Sequence, residues 1–148
     1  MANTTYEEVY EVFLDKITDY ELAAYSESLQ KAILLSLLKA ACRRFNRICV
    51  YDLIDSEETS EGEKSFTVKL GEEEIDIITE LMCAEWLKPF VNDTDNLHNR
   101  INTSEFSSVS PANMLTAIRD TYSLSRQNAR SLMNQYSYIH GDMAELAT

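Results

Sequence analysis

The sequence predicts an all-α fold: a helical bundle with a long C-terminal helix and at most a short extended segment or hairpin near residues 65–70. Two observations predict this class. Glycine (3) and proline (2) are scarce among 148 residues, whereas a fold of many short strands needs more turn residues. Apolar side chains also recur at helical spacing in four separate stretches. We expect a helical core over residues 1–110 and a long helix and tail used for docking over residues 111–148.

The first two helices are predicted over residues 6–17 and 28–45. Thr4 or Thr5 can cap the first helix, because their hydroxyls accept hydrogen bonds from free backbone N–H groups. Its apolar stripe consists of Tyr6, Val9, Tyr10, Phe13 and Ile17. A short turn is expected between the two helices, over residues 20–24. The second helix has a wide apolar face and therefore packs on a core.

An acidic segment and an alternating segment follow. The acidic segment, residues 52–63, has no positive charge, and repulsion between its side chains predicts an exposed, mobile loop. Its carboxylates are Asp52, Asp55, Glu57, Glu58, Glu61 and Glu63. Residues 65–70 alternate between polar and apolar and end at Gly71, which is typical of a short strand. That strand can pair with its own loop or with another chain.

The third helix, over about residues 72–91, is apolar around most of its circumference. Such a helix is expected at the centre of a bundle, with neighbours on several sides. Trp86 is expected in the core, and Pro89 can bend the helix near its end. Residues 92–110 are predicted as a polar connection with one helical turn around residues 97–101.

Ser110 and Pro111 mark the start of the last helix, because serine caps helices and proline suits the first helical position. The periodic pattern continues to about Tyr136, and a tail is expected after Gly141. A helix of that length is roughly 39 Å long. A globule of this size has a radius of gyration of about 15 Å. The helix should therefore reach beyond the core or lie across its full width.

Composition excludes several classes of protein. The net charge of −12 argues against a free-standing nucleic-acid-binding domain, which needs a cationic surface. No apolar stretch approaches the roughly 20 residues of a membrane-spanning helix, and no signal peptide is visible at the N-terminus. The odd number of cysteines indicates reduced thiols in a cytoplasmic setting. We expect Cys42, Cys49 and Cys83 to be buried structural residues.

Catalytic motifs are missing from the sequence. The glycines are isolated, so no phosphate-binding loop is present, and no nucleophile or zinc motif is found. His98 lies in a polar segment and His140 at a helix end, too far apart along the chain to suggest a metal site. We therefore predict no enzymatic activity, no cofactor and no metal.

Two basic stripes and one aromatic cluster are the candidate contact residues. The first stripe, Lys39, Arg43 and Arg47 with Arg44 beside it, is expected to pair with acidic residues of the loop or of a neighbouring copy, rather than with phosphate. The second stripe is expected at a contact with another subunit or a partner protein, and consists of Arg119, Arg126 and Arg130. Two interpretations stay open for the cluster, an anchor in a partner pocket or packing on its own domain; its members are Tyr136, Tyr138 and Ile139.

Several stretches together resemble a known family: residues 6–17 (YEEVYEVFLDKI), 84–89 (AEWLKP), 110–113 (SPAN) and 132–142 (LMNQYSYIHGD). With the order of the helices, they resemble the small helical head–tail connector proteins, also called adaptors or head-completion proteins, of tailed bacteriophages of Gram-positive hosts. The resemblance covers most of the chain except the acidic segment. It offers no catalytic set that can be carried over residue by residue.

The resemblance implies a structural role in the neck of the virion, at the head–tail junction, after assembly in the host cytoplasm. Such adaptors form a homo-oligomeric ring, commonly of about twelve copies, beneath the portal. They extend the DNA channel and dock tail or neck proteins. The acidic composition agrees with this role, because DNA passes a negatively charged wall without binding it. The acidic segment would face the channel or a partner.

The alternative is an acidic cytoplasmic helical interaction protein, such as a DNA-mimic regulator or an anti-defence protein. Mimics also have a low isoelectric point, which is about 4.5 here. They spread carboxylates over one surface, however, whereas this chain concentrates many of them in one loop and at helix starts.

Overall fold

A computed structural model describes residues 3–17, 26–92 and 111–146 of the protein. It confirms the predicted all-α class. The elements are, in chain order, α1 (Tyr6–Lys16), α2 (Glu27–Phe45), β1 (Ser56–Glu58), β2 (Lys64–Phe66), α3 (Glu72–Asn92) and α4 (Pro111–Leu146). The two strands form a small antiparallel hairpin beside the helices. The turns predicted over residues 20–24 and 97–101 lie outside the described residues.

Helix α1 begins at a capping box. The Thr5 hydroxyl accepts a hydrogen bond from the Glu8 amide at 3.2 Å, and the Glu8 carboxylate accepts one from the Thr5 amide at 2.8 Å. The predicted apolar stripe faces the core, with Val9 and Phe13 fully buried. Lys16 at the other end pairs with Glu80 of α3 at 3.4 Å, so both ends of α1 are fixed.

Helix α3 is the centre of the bundle, as predicted, because α1, α2 and α4 all pack against it. Ile77, Ile78 and Met82 are fully buried between these neighbours. The one buried threonine of α3, Thr79, donates its hydroxyl to the Ile75 carbonyl at 2.8 Å, which satisfies it inside the core. The helix continues through Pro89 to Asn92.

Helix α4 is longer than predicted. It does not end near Tyr136 but continues to Leu146, and the tail expected after Gly141 is helical as far as that residue. The prediction failed because one glycine inside a helix costs only about 1 kcal/mol relative to alanine. With 36 residues, α4 is about 54 Å long. With 21 residues, α3 is about 32 Å long.

The two long helices run antiparallel. His140 near the end of α4 contacts Glu73 at the start of α3, at 3.5 Å. Arg126, earlier in α4, lies beside Ala84 in the second half of α3. Because His140 contacts the first turn of α3 and α4 continues to Leu146, α4 extends beyond the start of α3. Its middle belongs to the main hydrophobic core, to which it contributes Ala129 and Tyr136. A docking role for residues 111–148 therefore stays a prediction that concerns the outward-facing side chains.

The acidic segment is exposed, as predicted, but it forms a hydrogen-bonded hairpin where a loop was expected. Ser56 pairs with Phe66 and Glu58 with Lys64 across the two strands. Thr59 closes the turn, since its hydroxyl accepts hydrogen bonds from the amides of Glu61 and Glu63 at 3.3 and 3.1 Å. Gly62 has a φ of 84°, in the left-handed region that glycine adopts readily. These bonds hold the turn in place against the repulsion between its carboxylates.

The strand predicted over residues 65–70 is shorter and has partners on both sides. One side of β2 pairs with β1, and the other side meets Thr4 and Thr5. The Thr4 amide donates to the Val68 carbonyl at 3.1 Å, and the Thr4 carbonyl accepts from the Phe66 amide at 2.9 Å. The alternative of pairing with a strand of another chain is therefore wrong for β2, because both of its edges are occupied within its own chain.

Candidate interaction surfaces

The first basic stripe is divided between two sides of α2. Arg43 and Arg44 are consecutive, and side chains rotate by about 100° per residue around a helix. Lys39 and Arg43 point toward the hairpin, whereas Arg44 points toward α3 and α4. Arg47 lies beyond the end of α2 and is exposed. The structure thus separates residues that the sequence places in one cluster.

Lys39 and Arg43 line a groove of about 350 Å³ beneath the hairpin, the hairpin groove. Lys64 adds a third cation, and the rest of the lining is Tyr6, Leu38, Cys42, Leu53, Ile54 and Ser56. Burial raises the pKa of the Cys42 thiol to about 12, so the thiol is protonated at neutral pH and is a poor nucleophile. Burial also raises the pKa of Tyr6. The groove therefore offers positive charge and apolar surface, but no activated nucleophile.

A second groove lies where α2, α3 and α4 meet, the interhelical groove. It has two adjoining parts of about 130 and 380 Å³, which share Arg44, Ala84 and Arg126. Arg130 and Lys88 add further positive charge, and Glu85 is the one carboxylate among the lining residues. Its apolar floor consists of Leu81, Ala84, Ala129 and Met133.

Among the described residues, the cations of the interhelical groove make two weak contacts. Arg44 lies 3.8 Å from Glu85, which is a long ion pair. The Arg126 guanidinium stands 5.7 Å from the centre of the Tyr122 ring, at cation–π distance. The structure therefore brings Arg126 and Arg130 together with Arg44, from the other predicted stripe. Arg119 is exposed on the same flank of α4 but does not line the groove.

Tyr136 packs on its own domain and is not an exposed anchor for a partner. Its side chain is fully buried, with its ring edge-on to Phe45 at 5.0 Å. Its hydroxyl accepts a hydrogen bond from the Val50 amide at 3.2 Å and contacts the Cys49 sulfur at 3.6 Å. Burial raises the pKa of the Tyr136 hydroxyl. The sequence misses this because Phe45, Cys49 and Val50 are distant from Tyr136 along the chain.

Tyr138 and Ile139 face outward, with 72% and 53% of their surface exposed. Leu124 on the same helix is 57% exposed and was not among the predicted contact residues. On a helical projection, Leu124 and Ile139 fall on the flank opposite to Arg126 and Arg130. Helical periodicity could have predicted the exposure of Leu124, because Leu124 falls outside the buried face of α4. Helix α4 thus presents a basic flank and, on the opposite flank, separate exposed apolar side chains at Leu124 and Ile139.

The carboxylates of the hairpin are exposed, as predicted. They are Asp55, Glu57, Glu58, Glu61 and Glu63, and we refer to residues 55–63 as the acidic hairpin. The Asn3 amide donates to Glu57 at 3.1 Å and ties the hairpin to the N-terminal segment. Asp52 accepts a hydrogen bond from the Ile54 amide at 2.9 Å, which lowers the pKa of Asp52. The result is a fixed, negatively charged projection.

Within residues 3–17, 26–92 and 111–146, no three His, Cys, Asp or Glu side chains form a cluster suited to a metal ion. The one buried carboxylate in this part of the chain, Glu74, is 7% exposed and lines neither groove. His98 lies outside the described residues. Cys42 and Cys83 are buried as predicted, and Cys49 is partly buried.

A helix that crosses a membrane must be both long and apolar, and no helix in the described part of the chain meets both conditions. Comparison with known proteins adds no relative: no protein-family model, no curated protein and no solved structure matches this chain. The likeness to head–tail connectors therefore stays a resemblance, and the chemistry of the two grooves, the acidic hairpin and α4 is what supports a function.

Proposed function

We propose that this chain is a structural assembly protein, a head–tail connector (adaptor) of a tailed bacteriophage. It would form a ring beneath the portal, extend the DNA channel and dock the tail. The observation that carries the proposal is the shape of α4. This helix is longer than the helix it packs on, and its outer surface carries exposed Leu124, Tyr138 and Ile139. Exposed apolar side chains on an extended helix suit contact with another protein.

The distribution of charge supports the same proposal. The acidic hairpin and the basic interhelical groove belong to different parts of the fold. A protein with complementary surfaces in different places can assemble head to tail, and such contacts close into a ring when the rotation between copies fits. A net charge of −12 also gives the inner wall of such a ring little attraction for DNA.

Mass photometry with the portal protein encoded in the same phage genome tests the proposal. The expected result is a portal complex that gains the mass of about twelve copies of this chain. Tyr138→Asp combined with Ile139→Asp should abolish the gain, because charge would replace the apolar surface of α4. Leu29→Asp is the matched control, since Leu29 is an exposed apolar residue of α2. A portal whose mass does not change with the wild-type chain would refute the proposal.

A second candidate function is that of a DNA mimic, favoured by the fixed geometry of the acidic hairpin. Its turn is held by the hydrogen bonds of Thr59, so its carboxylates keep their relative positions. A mimic would bind a DNA-binding enzyme in isothermal titration calorimetry, and duplex DNA would compete with it. Absence of binding to such enzymes, together with binding to portal, would leave the connector as the function.

A further inference from the structure

We infer that the acidic hairpin of one copy occupies the interhelical groove of the next copy. The inference deepens the proposed ring and rests on it. It names the two surfaces that meet: the exposed carboxylates Glu58, Glu61 and Glu63 on one side, and the cations of the groove on the other. Each copy would give one hairpin and receive one, which is a heterologous contact.

The groove has the chemistry to receive a carboxylate-rich segment. Four cations line it, Arg44, Lys88, Arg126 and Arg130, against the single carboxylate of Glu85. Arginine binds carboxylates well, because its planar guanidinium can donate two parallel hydrogen bonds. The guanidinium of Arg126 is held over Tyr122, so part of the cost of ordering it is already met. In a chain of net charge −12, such a concentration of positive charge is unusual.

The hairpin has the properties of a preorganised ligand. Strand β1 is exposed along its whole length, and the turn is closed by Thr59 and by Gly62 in its left-handed conformation. Asn3 holds the base of the hairpin through Glu57. A segment that is already ordered loses little conformational entropy on binding, and this favours association.

The hairpin cannot reach the interhelical groove of its own chain. Strand β2 packs on α1, with the Tyr6 and Phe66 rings 4.9 Å apart, and the hairpin groove lies beneath β1. The interhelical groove opens on the other side of α2, between α3 and α4. A hairpin that occupies this groove must therefore come from a second copy. The hairpin groove is a poorer receptor, because Ser56 and Lys64 of its own hairpin already line it.

Native mass spectrometry of charge-reversed variants tests this contact. The groove variant carries Arg126→Glu and Arg130→Glu, and the hairpin variant carries Glu58→Lys and Glu61→Lys. Wild-type chains should assemble at low ionic strength and dissociate as salt is added. Each variant alone should associate more than tenfold more weakly, because like charges would face each other. An equal mixture of the two variants should assemble again, with equal numbers of each, since both contacts are then complementary.

The control is Lys31→Glu, a reversal at an exposed position of α2 that pairs with Glu27 of the same helix. It should assemble like the wild type, and circular dichroism should show that all variants are folded. A wild-type chain that stays monomeric at low salt and high concentration would overturn the inference. So would variants that assemble as the wild type does, or a mixture that fails to recover.

Zero-length carbodiimide cross-linking gives a second, independent readout with the wild-type chain. In an equal mixture of ¹⁴N and ¹⁵N chains, Lys88 should be linked to a hairpin carboxylate of the other isotope. Finding Lys88 linked only within one chain would contradict the contact.

The two proposals can fail separately. If the groove variant still forms portal-bound rings, the connector function is supported and this contact is not. If the mixed charge-reversed variants assemble but the wild-type chain does not bind portal, the contact is supported and the connector function is not.

Discussion

Tyr136 and Tyr138 lie two residues apart on α4 and occupy opposite environments. Tyr136 is fully buried against Phe45 and hydrogen-bonded to the Val50 amide, whereas Tyr138 is 72% exposed. A separation of two residues turns a helical side chain by about 200°. The inner side of α4 therefore stabilises the fold, while its outer side is available to a partner. One stretch of sequence can serve both purposes only because the helix separates them.

The largest effect is expected from Tyr136→Ala. The substitution removes a fully buried aromatic ring between α2 and α4 and leaves a cavity. Such truncations reduce the free energy of unfolding by about 3–5 kcal/mol. Urea denaturation followed by circular dichroism measures this loss of free energy of unfolding. A loss below about 1 kcal/mol would mean that the inner side of α4 contributes no more than its surface does.

The control for that prediction is Tyr136→Phe, which keeps the ring and removes the hydroxyl. It should cost about 1 kcal/mol, because the Val50 amide loses its hydrogen-bond acceptor. A cost as large as that of the alanine variant would assign the stability to the hydroxyl rather than to the ring.

The second largest effect on the free energy of unfolding is expected at alkaline pH and comes from two buried thiols. Burial raises the pKa of the Cys42 and Cys83 thiols to about 12, from an ordinary value of 9.0. The folded state favours the neutral form of both thiols. Their contribution to the free energy of unfolding is therefore complete below pH 9 and is lost as the pH rises toward 12. The loss is roughly 1.4 kcal/mol per thiol for each pH unit above the unfolded pKa.

Urea denaturation at a series of pH values from 8 to 10.5 measures this loss. Cys42→Ala should reduce the slope of the free energy of unfolding against pH, whatever its effect at pH 8. A free energy that does not change over this range would show that neither thiol is as well shielded as its position indicates.

The smallest effect on stability is expected from Tyr138→Ala. The side chain is mostly exposed, and surface substitutions change the free energy of unfolding by less than about 0.5 kcal/mol. Its effect should instead appear in binding, as a loss of portal-bound mass. If Tyr138→Ala destabilises the chain as strongly as Tyr136→Ala, the contrast between the two sides of α4 does not hold.

Much of the fold could be predicted from local patterns. The stripe of α1, its cap at Thr5 and the central position of α3 follow from the spacing and polarity of neighbouring residues. These features depend on contacts within a helix or on its average polarity. They are accessible because helical periodicity directly indicates which side of a helix is buried.

The candidate surfaces were harder to predict, because they depend on partners distant in sequence. Arg44 meets Arg126 only because α2, α3 and α4 converge, and no local pattern distinguishes Arg44 from Arg43. The acidic segment has no strand pattern, since β1 is Ser-Glu-Glu. Its pairing comes from Thr59, from Gly62 and from the anchoring of β2 on residues 3–5. Sequence predicts its charge and exposure but not its rigidity.

The N-terminal residues have one practical consequence. Thr4 covers the outer edge of β2 with two backbone hydrogen bonds, and its hydroxyl accepts a third from the Leu70 amide at 2.8 Å. If proteolysis between Thr5 and Tyr6 removed the preceding residues, it would uncover that edge and remove the cap of α1 together. Uncovered strand edges pair with other chains and cause aggregation. A sample that slowly precipitates should therefore first be checked for cleavage near residues 3–5.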